Sequence, residues 1–286
     1  MNQTTVNQIN LINKDFYGKI SSQWNQKTDS KWTGWDKVIT HLQTRFAHKK
    51  TIRVLDLGCG NGRFATFINA NLTQHIEYTG VDFDTFFLQQ AKKRKEFDTS
   101  DSVNYNANLN TDNLIPSKPF VKFQLIDLDI TKEAFQTDFQ TKSNNQKYDL
   151  VVAFGLIHHI ASYQNRLKLL QFAKSCLDTT QTTENKPLLV WTSWRFLDQP
   201  RLLKRIVGLD SGIGQQIIND NNLDTTELES GDHFLNWVKH EYAVRFSHYI
   251  DDQEAQNLNL DSNLKLVDAY LDDSITQNLN GYYVCE

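Results

Sequence analysis

Apolar and polar positions along this chain fall into two rhythms. Short apolar runs rich in β-branched residues recur at Ile52–Leu57, Ile76–Asp82, Val121–Ile126, Tyr148–Phe154 and Leu188–Trp194. Each predicts a buried strand. Between them lie stretches with helical spacing. Trp35, Val38, Ile39, Leu42 and Phe46 form one, Phe64, Ala65, Phe67 and Ile68 open another, and Thr85–Lys95 and Asn165–Leu177 form two more. Thr131–Lys147 reads as a short helix followed by a polar insertion. Lys95–Lys118 and Asp178–Lys186 are polar, without periodicity, and predict loops. Residues 1 to 10 are expected to fray, and Asn13 to cap a helix through Phe16, Tyr17 and Ile20. Further on, Arg201–Val207 and Gly214–Ile218 predict short helices. Leu264–Leu271 and Tyr282–Cys285 predict the last two strands, antiparallel to each other.

Composition narrows the class. The chain has 286 residues and a net charge of -4. No apolar run approaches the roughly 18 residues of a membrane span. The first residues lack a basic segment followed by an apolar block, so no secretory signal is expected. Cys59, Cys176 and Cys285 are scattered, which argues against a disulfide framework or a metal site and suits a reducing cytoplasm. Bulk charge announces no nucleic acid, and DNA and membrane partners are not expected. A local patch uniting Lys92, Lys93 and Arg94 with Arg201, Lys204 and Arg205 would favour RNA, whereas a closed apolar pocket would favour a metabolite.

The chemistry concentrates after the first predicted strand, at Gly58-Cys59-Gly60-Asn61-Gly62. A glycine-rich turn between a strand and a helix lets a ligand approach the backbone at the carboxyl edge of a sheet. The spacing is GxGxG, not the GxGxxG of dinucleotide sites. Asp56, two residues before the first glycine, would repel a pyrophosphate but suit the ammonium group of S-adenosylmethionine (SAM). Asp82, about twenty residues after the glycines, stands where a carboxylate can accept from ribose hydroxyls. Cys59 reads as a small residue filling space.

VLDLGCGNGR, YTGVD, FQLIDLDI and YDLVVAFGLIHHI together resemble the class I SAM-dependent methyltransferases. That resemblance implies an α/β, Rossmann-like fold: a seven-stranded, mostly parallel sheet with a reversed last strand and helices on both faces. It implies one domain over 1–286, with a helical cover at 11–50, a SAM-binding core at 51–194 and a substrate-side segment at 195–286. Asp127 would meet the adenine amino group and Leu128 pack on the ring, with Phe83, Phe154 and Tyr17 beside the cofactor and Trp32 a further wall contact. The reactive loop would be Gly155–His159. Neighbouring side chains on a helix start diverge by about 100°, so only one of His158 and His159 is expected to face the pocket, and His158 is favoured.

Within that group, Ile157-His158-His159, Val190-Trp191, Gly231-Asp232-His233-Phe234 with Trp237, and Arg245-Phe246-Ser247-His248-Tyr249 resemble the tRNA wobble-uridine methyltransferases, which esterify 5-carboxymethyluridine. The chain departs from that group at Lys27-Thr28, where an arginine is expected, and at Asn280-Gly281-Tyr282. The resemblance brings tRNA as partner and, from the eukaryotic members, a small zinc-binding activator subunit. A carboxylate is already ionised near neutral pH and needs no general base. Arg195 and Arg245 are then the expected anchors, with His158 and His248 as donors. The competing expectations are a methyltransferase of a small metabolite, for which His158 could act as base, and a SAM-binding protein without turnover.

Overall fold

The computed structural model describes residues 1–27, 31–94, 121–180, 185–237, 240–273 and 275–286. The insertion expected at Lys95–Lys118, Thr28 and part of the Asp178–Lys186 loop lie outside them.

Strands β1 (Thr51–Leu57), β2 (His75–Asp82), β3 (Val121–Asp127), β4 (Leu150–Ala153), β5 (Leu188–Trp194), β8 (Leu266–Asp272) and β9 (Asn280–Cys285) form one sheet, in the order β3-β2-β1-β4-β5-β9-β8. The first five run parallel, and β9 inserts antiparallel between β5 and β8. This is the seven-stranded class I architecture with its reversed last strand. Strands β6 (Asp232–Trp237) and β7 (His240–His248), not predicted as strands, form a separate hairpin.

A central parallel strand must be apolar on both faces. Alternate residues of β1 do this: Ile52 and Val54 enter one core, Leu55 and Leu57 the other. The first core is closed by α2 (Trp35–Arg45) and α3 (Arg63–Asn71). The second is closed by α5 (Phe135–Lys142), α6 (Tyr163–Ser175) and α9 (Asp252–Asp261). Trp191 of β5 is wholly buried there, and its indole N–H donates to Asn259 Oδ1 at 2.9 Å.

The N-terminus corrects one expectation. Helix α1 runs Gln3–Lys27, so Asn13 lies within it and caps nothing. Val6, Ile9, Ile12, Phe16 and Ile20 form one apolar face at helical spacing. The first three pack with Phe234, Val244 and Phe246 of the hairpin, and Phe16 and Ile20 pack with Ala243. Asn13 joins the two elements: its side chain accepts from Phe246 N at 2.8 Å. The helix and hairpin thereby form a wall over the carboxyl edge of the sheet, where β1 and β4 lie side by side and their connections diverge.

Candidate active site

At the end of β1 the chain turns through Gly58, Gly60 and Gly62, whose φ values are 74°, 53° and 75°. Other residues rarely enter that region. Gly58 N and Cys59 N both donate to Val81 O, at 2.8 and 2.9 Å. Asp82 completes the cradle. Its Oδ2 accepts from Gly60 N at 2.8 Å and its Oδ1 from Asp84 N at 2.9 Å. Burial pushes the Asp82 carboxyl up to about 6, against these backbone donors. Arg94, at the end of α4 (Thr85–Lys92), donates from Nε to Asn61 O at 2.5 Å and pins the turn from outside.

The turn opens into a cavity of about 530 Å³. Of the residues singled out in the sequence, Gly58, Cys59, Gly60, Asp82, Phe83, Leu128, Phe154, Tyr17, Trp32, His158 and Arg245 line it. Gly62 lies outside it, at the start of α3. Two further residues also stand elsewhere. Asp56 sits one layer behind the turn, 3% exposed, and accepts from the Tyr78 hydroxyl at 2.5 Å; burial pushes its carboxyl up to about 7. Asp127 is exposed and borders a neighbouring shallow cleft, so Leu128 and Asp129 supply the wall at that point. Burial also pushes the Cys59 thiol well up, which fits a space-filling residue and not a thiolate.

Both histidines face the cavity, contrary to the expectation of one. They occupy a 3₁₀ turn, Ile157–His159, around which the cavity curves, with ring centroids 4.2 Å apart. His159 is fully engaged. Its Nδ1 lies 3.1 Å from Phe246 O, an acceptor only, so Nδ1 carries the proton. Its Nε2 therefore accepts from the Tyr17 hydroxyl at 2.8 Å. Burial pushes it down to about 3. His158 packs against Trp194 at 5.4 Å, and its buried Nδ1 has no hydrogen-bond partner among the described residues. Burial, with His159 and Arg245 nearby, holds His158 well below its usual value, hence neutral.

Arg245 is 7% exposed and enclosed by rings. Its guanidinium lies 4.3 Å from the Trp194 centroid and 5.4 Å from those of Phe16 and Trp24. The Tyr17 side chain is its polar neighbour. Among the described residues no carboxylate pairs with it. Burial draws its pKa down, Tyr17 opposes this, and Arg205 adds to the fall; an arginine nonetheless stays cationic at neutral pH.

Two expected anchors are corrected by strand geometry. Side chains alternate faces along a strand, so His248, an odd number of residues from Arg245, points the other way. Its Nδ1 and Nε2 lie 2.6 Å from Asp232 and 2.7 Å from Glu254, and Arg166 joins the same group through Glu229 and Glu254. Glu229, Asp232 and His248 stand close enough to ligate a cation, but the Arg166 guanidinium already supplies positive charge there. Arg195 follows Trp194 and likewise points away, pairing with Asp198 at 2.6 Å and Asp252 at 2.5 Å.

Sequence reading missed Trp24, Trp194 and Trp237 as cavity wall. The signal for Trp194 was available: it stands an odd number of residues from the core residue Trp191 on one strand.

Residues 55–179 match the family model of a methyltransferase domain. No curated protein matches the chain. Among solved structures, a SAM-dependent methyltransferase from Clostridium acetobutylicum superposes with a TM-score of 0.56 at 11% identity, covering 94% of this chain and 98% of the other. A Pyrococcus horikoshii protein gives 0.51 at 13%, covering 91% and 93%. A SAM-bound amino pentose methyltransferase from Micromonospora echinaspora, involved in calicheamicin biosynthesis, gives 0.50 at 13%, covering 92% and 94%. These likenesses establish the fold.

Proposed function

We propose that this chain, a SAM-dependent methyltransferase, esterifies a carboxylate, and that its acceptor is 5-carboxymethyluridine at the wobble position of tRNA. The observation that carries this reading is Arg245: a buried cation at the reactive loop with no acid beside it among the described residues. A buried charge without a counter-ion is costly, and an acceptor carboxylate supplies one.

The cofactor fits the residues present. The glycine turn leaves its surface free of side chains, and a side chain at Gly58 would meet Leu156 at 3.1 Å. Asp82 offers a carboxylate with no ion pair among the described residues, and Phe83 and Leu128 offer apolar walls. Bound there, SAM supplies an electrophilic methyl group.

The chain's own residues do the rest. Arg245 holds one carboxylate oxygen through charge-assisted donors and leaves the other free to attack. Tyr17 sits by that guanidinium and opposes the fall in its pKa, and His159 fixes Tyr17 through hydrogen bonds that also set the histidine tautomer. Trp24, Trp194 and Trp237 exclude water, which strengthens each polar contact and positions the acceptor. Neutral His158 offers a ring nitrogen to the acceptor. No proton has to be removed from a carboxylate, so a base is not required.

The RNA part of the reading is supported by the resemblance at Gly231–Trp237 and Arg245–Tyr249, which here form the hairpin carrying Arg245 and Trp237 into the cavity. The test is transfer of label from methyl-labelled SAM to tRNA bearing free 5-carboxymethyluridine, followed by nucleoside digestion. Label in the methyl ester nucleoside is expected. Its absence, with SAM binding intact, would overturn the tRNA reading and turn attention to small carboxylic acids.

A further inference from the structure

Four arginines line the cavity: Arg63 lies over the Trp32 and Trp35 rings, and of the other three Arg245 is the most buried. Arg205 and Arg201 follow toward the mouth, on the short helix α7 (Pro200–Leu203) and the turn after it. Arg205 is half-buried, and its main chain is fixed. Its N–H donates to Leu202 O at 2.9 Å, and its carbonyl accepts from Asn236 N at 2.9 Å. Burial lowers the Arg205 pKa, and Arg201 lowers it further; Arg205 does the same to Arg245. Neither Arg201 nor Arg205 pairs with a carboxylate among the described residues. The acids that line the cavity are engaged on the cofactor side and the far wall. Asp82 accepts from backbone, Asp84 caps α4 by accepting from Phe86 N and Phe87 N, Asp129 pairs with Lys14, and Asp273 accepts from Gly34 N, Asn280 and Tyr282. Like charges held in a row without counter-ions form a site for an anion.

We infer that Arg201 and Arg205 hold a phosphodiester group of the acceptor strand while Arg245 holds the carboxylate of the base. This deepens the tRNA reading above and rests on it. The inference fits the walls: a base can stack on Trp24 or Trp237 inside, leaving its backbone phosphate at the mouth. Arg94 and Lys92, grouped with these arginines from the sequence, are placed elsewhere. Arg94 is bound to the glycine turn, and Lys92 is exposed on α4, away from the cavity wall.

The test measures binding of a fluorescent anticodon stem-loop by anisotropy over a range of NaCl concentrations. Two versions are used, one with uridine and one with 5-carboxymethyluridine at the wobble position. Wild type is compared with the double variant Arg201→Gln/Arg205→Gln and with Arg205→Lys. Melting and SAM calorimetry check that each variant is folded. The double variant should bind both RNAs about tenfold more weakly and lower the salt slope by roughly 1–2, one phosphate contact per arginine at most. Arg205→Lys should keep the slope. An unchanged slope in the double variant would overturn the inference. So would a wild-type enzyme that binds neither RNA yet esterifies the free nucleoside, an outcome that leaves the carboxylate reading standing. Arginine-dependent RNA binding without methyl ester formation would sustain the phosphate site and sink the wobble-uridine reading.

Discussion

The guanidinium of Arg245 lies 4.3 Å from the centroid of Trp194, the last residue of β5, and no carboxylate among the described residues answers its charge. A cation over an indole gains a few tenths to about 2 kcal/mol, less than an ion pair would give it in a dry cavity. Arg245→Gln should therefore not lower the melting temperature, since it removes a buried unpaired charge. It should lower kcat/KM for the acceptor about 10- to 100-fold, as loss of a charged hydrogen bond does. Arg245→Lys should rescue poorly, because an ammonium cannot reproduce the planar fork. Melting curves and acceptor kinetics on the same preparations check both halves. A destabilised variant with wild-type kinetics would make Arg245 a packing residue.

Asp82 gives a prediction with a pH signature. Its carboxyl is pushed up to about 6 by burial, above its ordinary 3.8. A raised carboxyl means the folded protein holds more protons than the unfolded chain between those values. Stability from this group thus falls as pH rises through that window. Its ionised form is the one that accepts from ribose hydroxyls. SAM affinity should consequently climb between pH 5 and 7 with a midpoint near the Asp82 value, and Asp82→Asn should flatten the curve while weakening binding at pH 7 about tenfold. Calorimetry across pH reads this directly. A pH-dependent affinity that persists in Asp82→Asn would assign the titration to another group.

His248 was legible in sequence as a motif residue but not by its direction. Its ring is held by Asp232 and Glu254, which outweigh burial and leave its pKa raised. A raised histidine stabilises the fold fully below its unfolded value of about 6.5, and that stability is lost as pH rises through the folded value. His248→Gln should therefore melt lower than wild type at pH 6, with the gap closing at alkaline pH. Its SAM affinity should stay near wild type, since the residue faces away from the cavity. Melting temperatures at a series of pH values decide it; a gap that widens with pH would contradict the charge assignment.

The parallel core and the glycine cradle could be read from local pattern because their determinants are contiguous. Leu55 and Leu57 alternate with Val54 and Asp56, and the glycines follow at once. What could not be read depends on distant chain segments meeting. Asp56 looked like a ligand-facing carboxylate until Tyr78, on the next strand, proved to cover it. Arg195 and Arg245 look equivalent in sequence, yet partners at Asp198 and Asp252 engage the first and leave the second without an acid. The helix through residues 1–10 was hidden for the same reason. Its polar composition resembles a tail, and the few apolar residues that order it, Val6 and Ile9, find their partners in the β6–β7 hairpin.

The two histidines at the reactive loop discriminate between acceptor classes through the pH dependence of the rate. His159 is pushed down to about 3 by burial and bound at both nitrogens, so it stays neutral and fixed at every pH where the protein works. His158 is held well below its ordinary value by burial, with His159 and the Arg245 guanidinium beside it. A base of that kind is already deprotonated at pH 6 and takes up a proton weakly. With a carboxylate acceptor, kcat at saturating SAM should be level from pH 6.5 to 9, since neither the acceptor nor the histidines change charge there. His158→Asn keeps a donor and should retain most of the rate, whereas His158→Ala should lose about tenfold, the effect of one hydrogen bond at the acceptor. An amine acceptor would instead give a rate rising with pH, because its nitrogen must lose a proton before it can attack. Such a rise would replace the carboxylate with a protonated nucleophile, and a loss well beyond tenfold in both His158 variants would make this histidine its base.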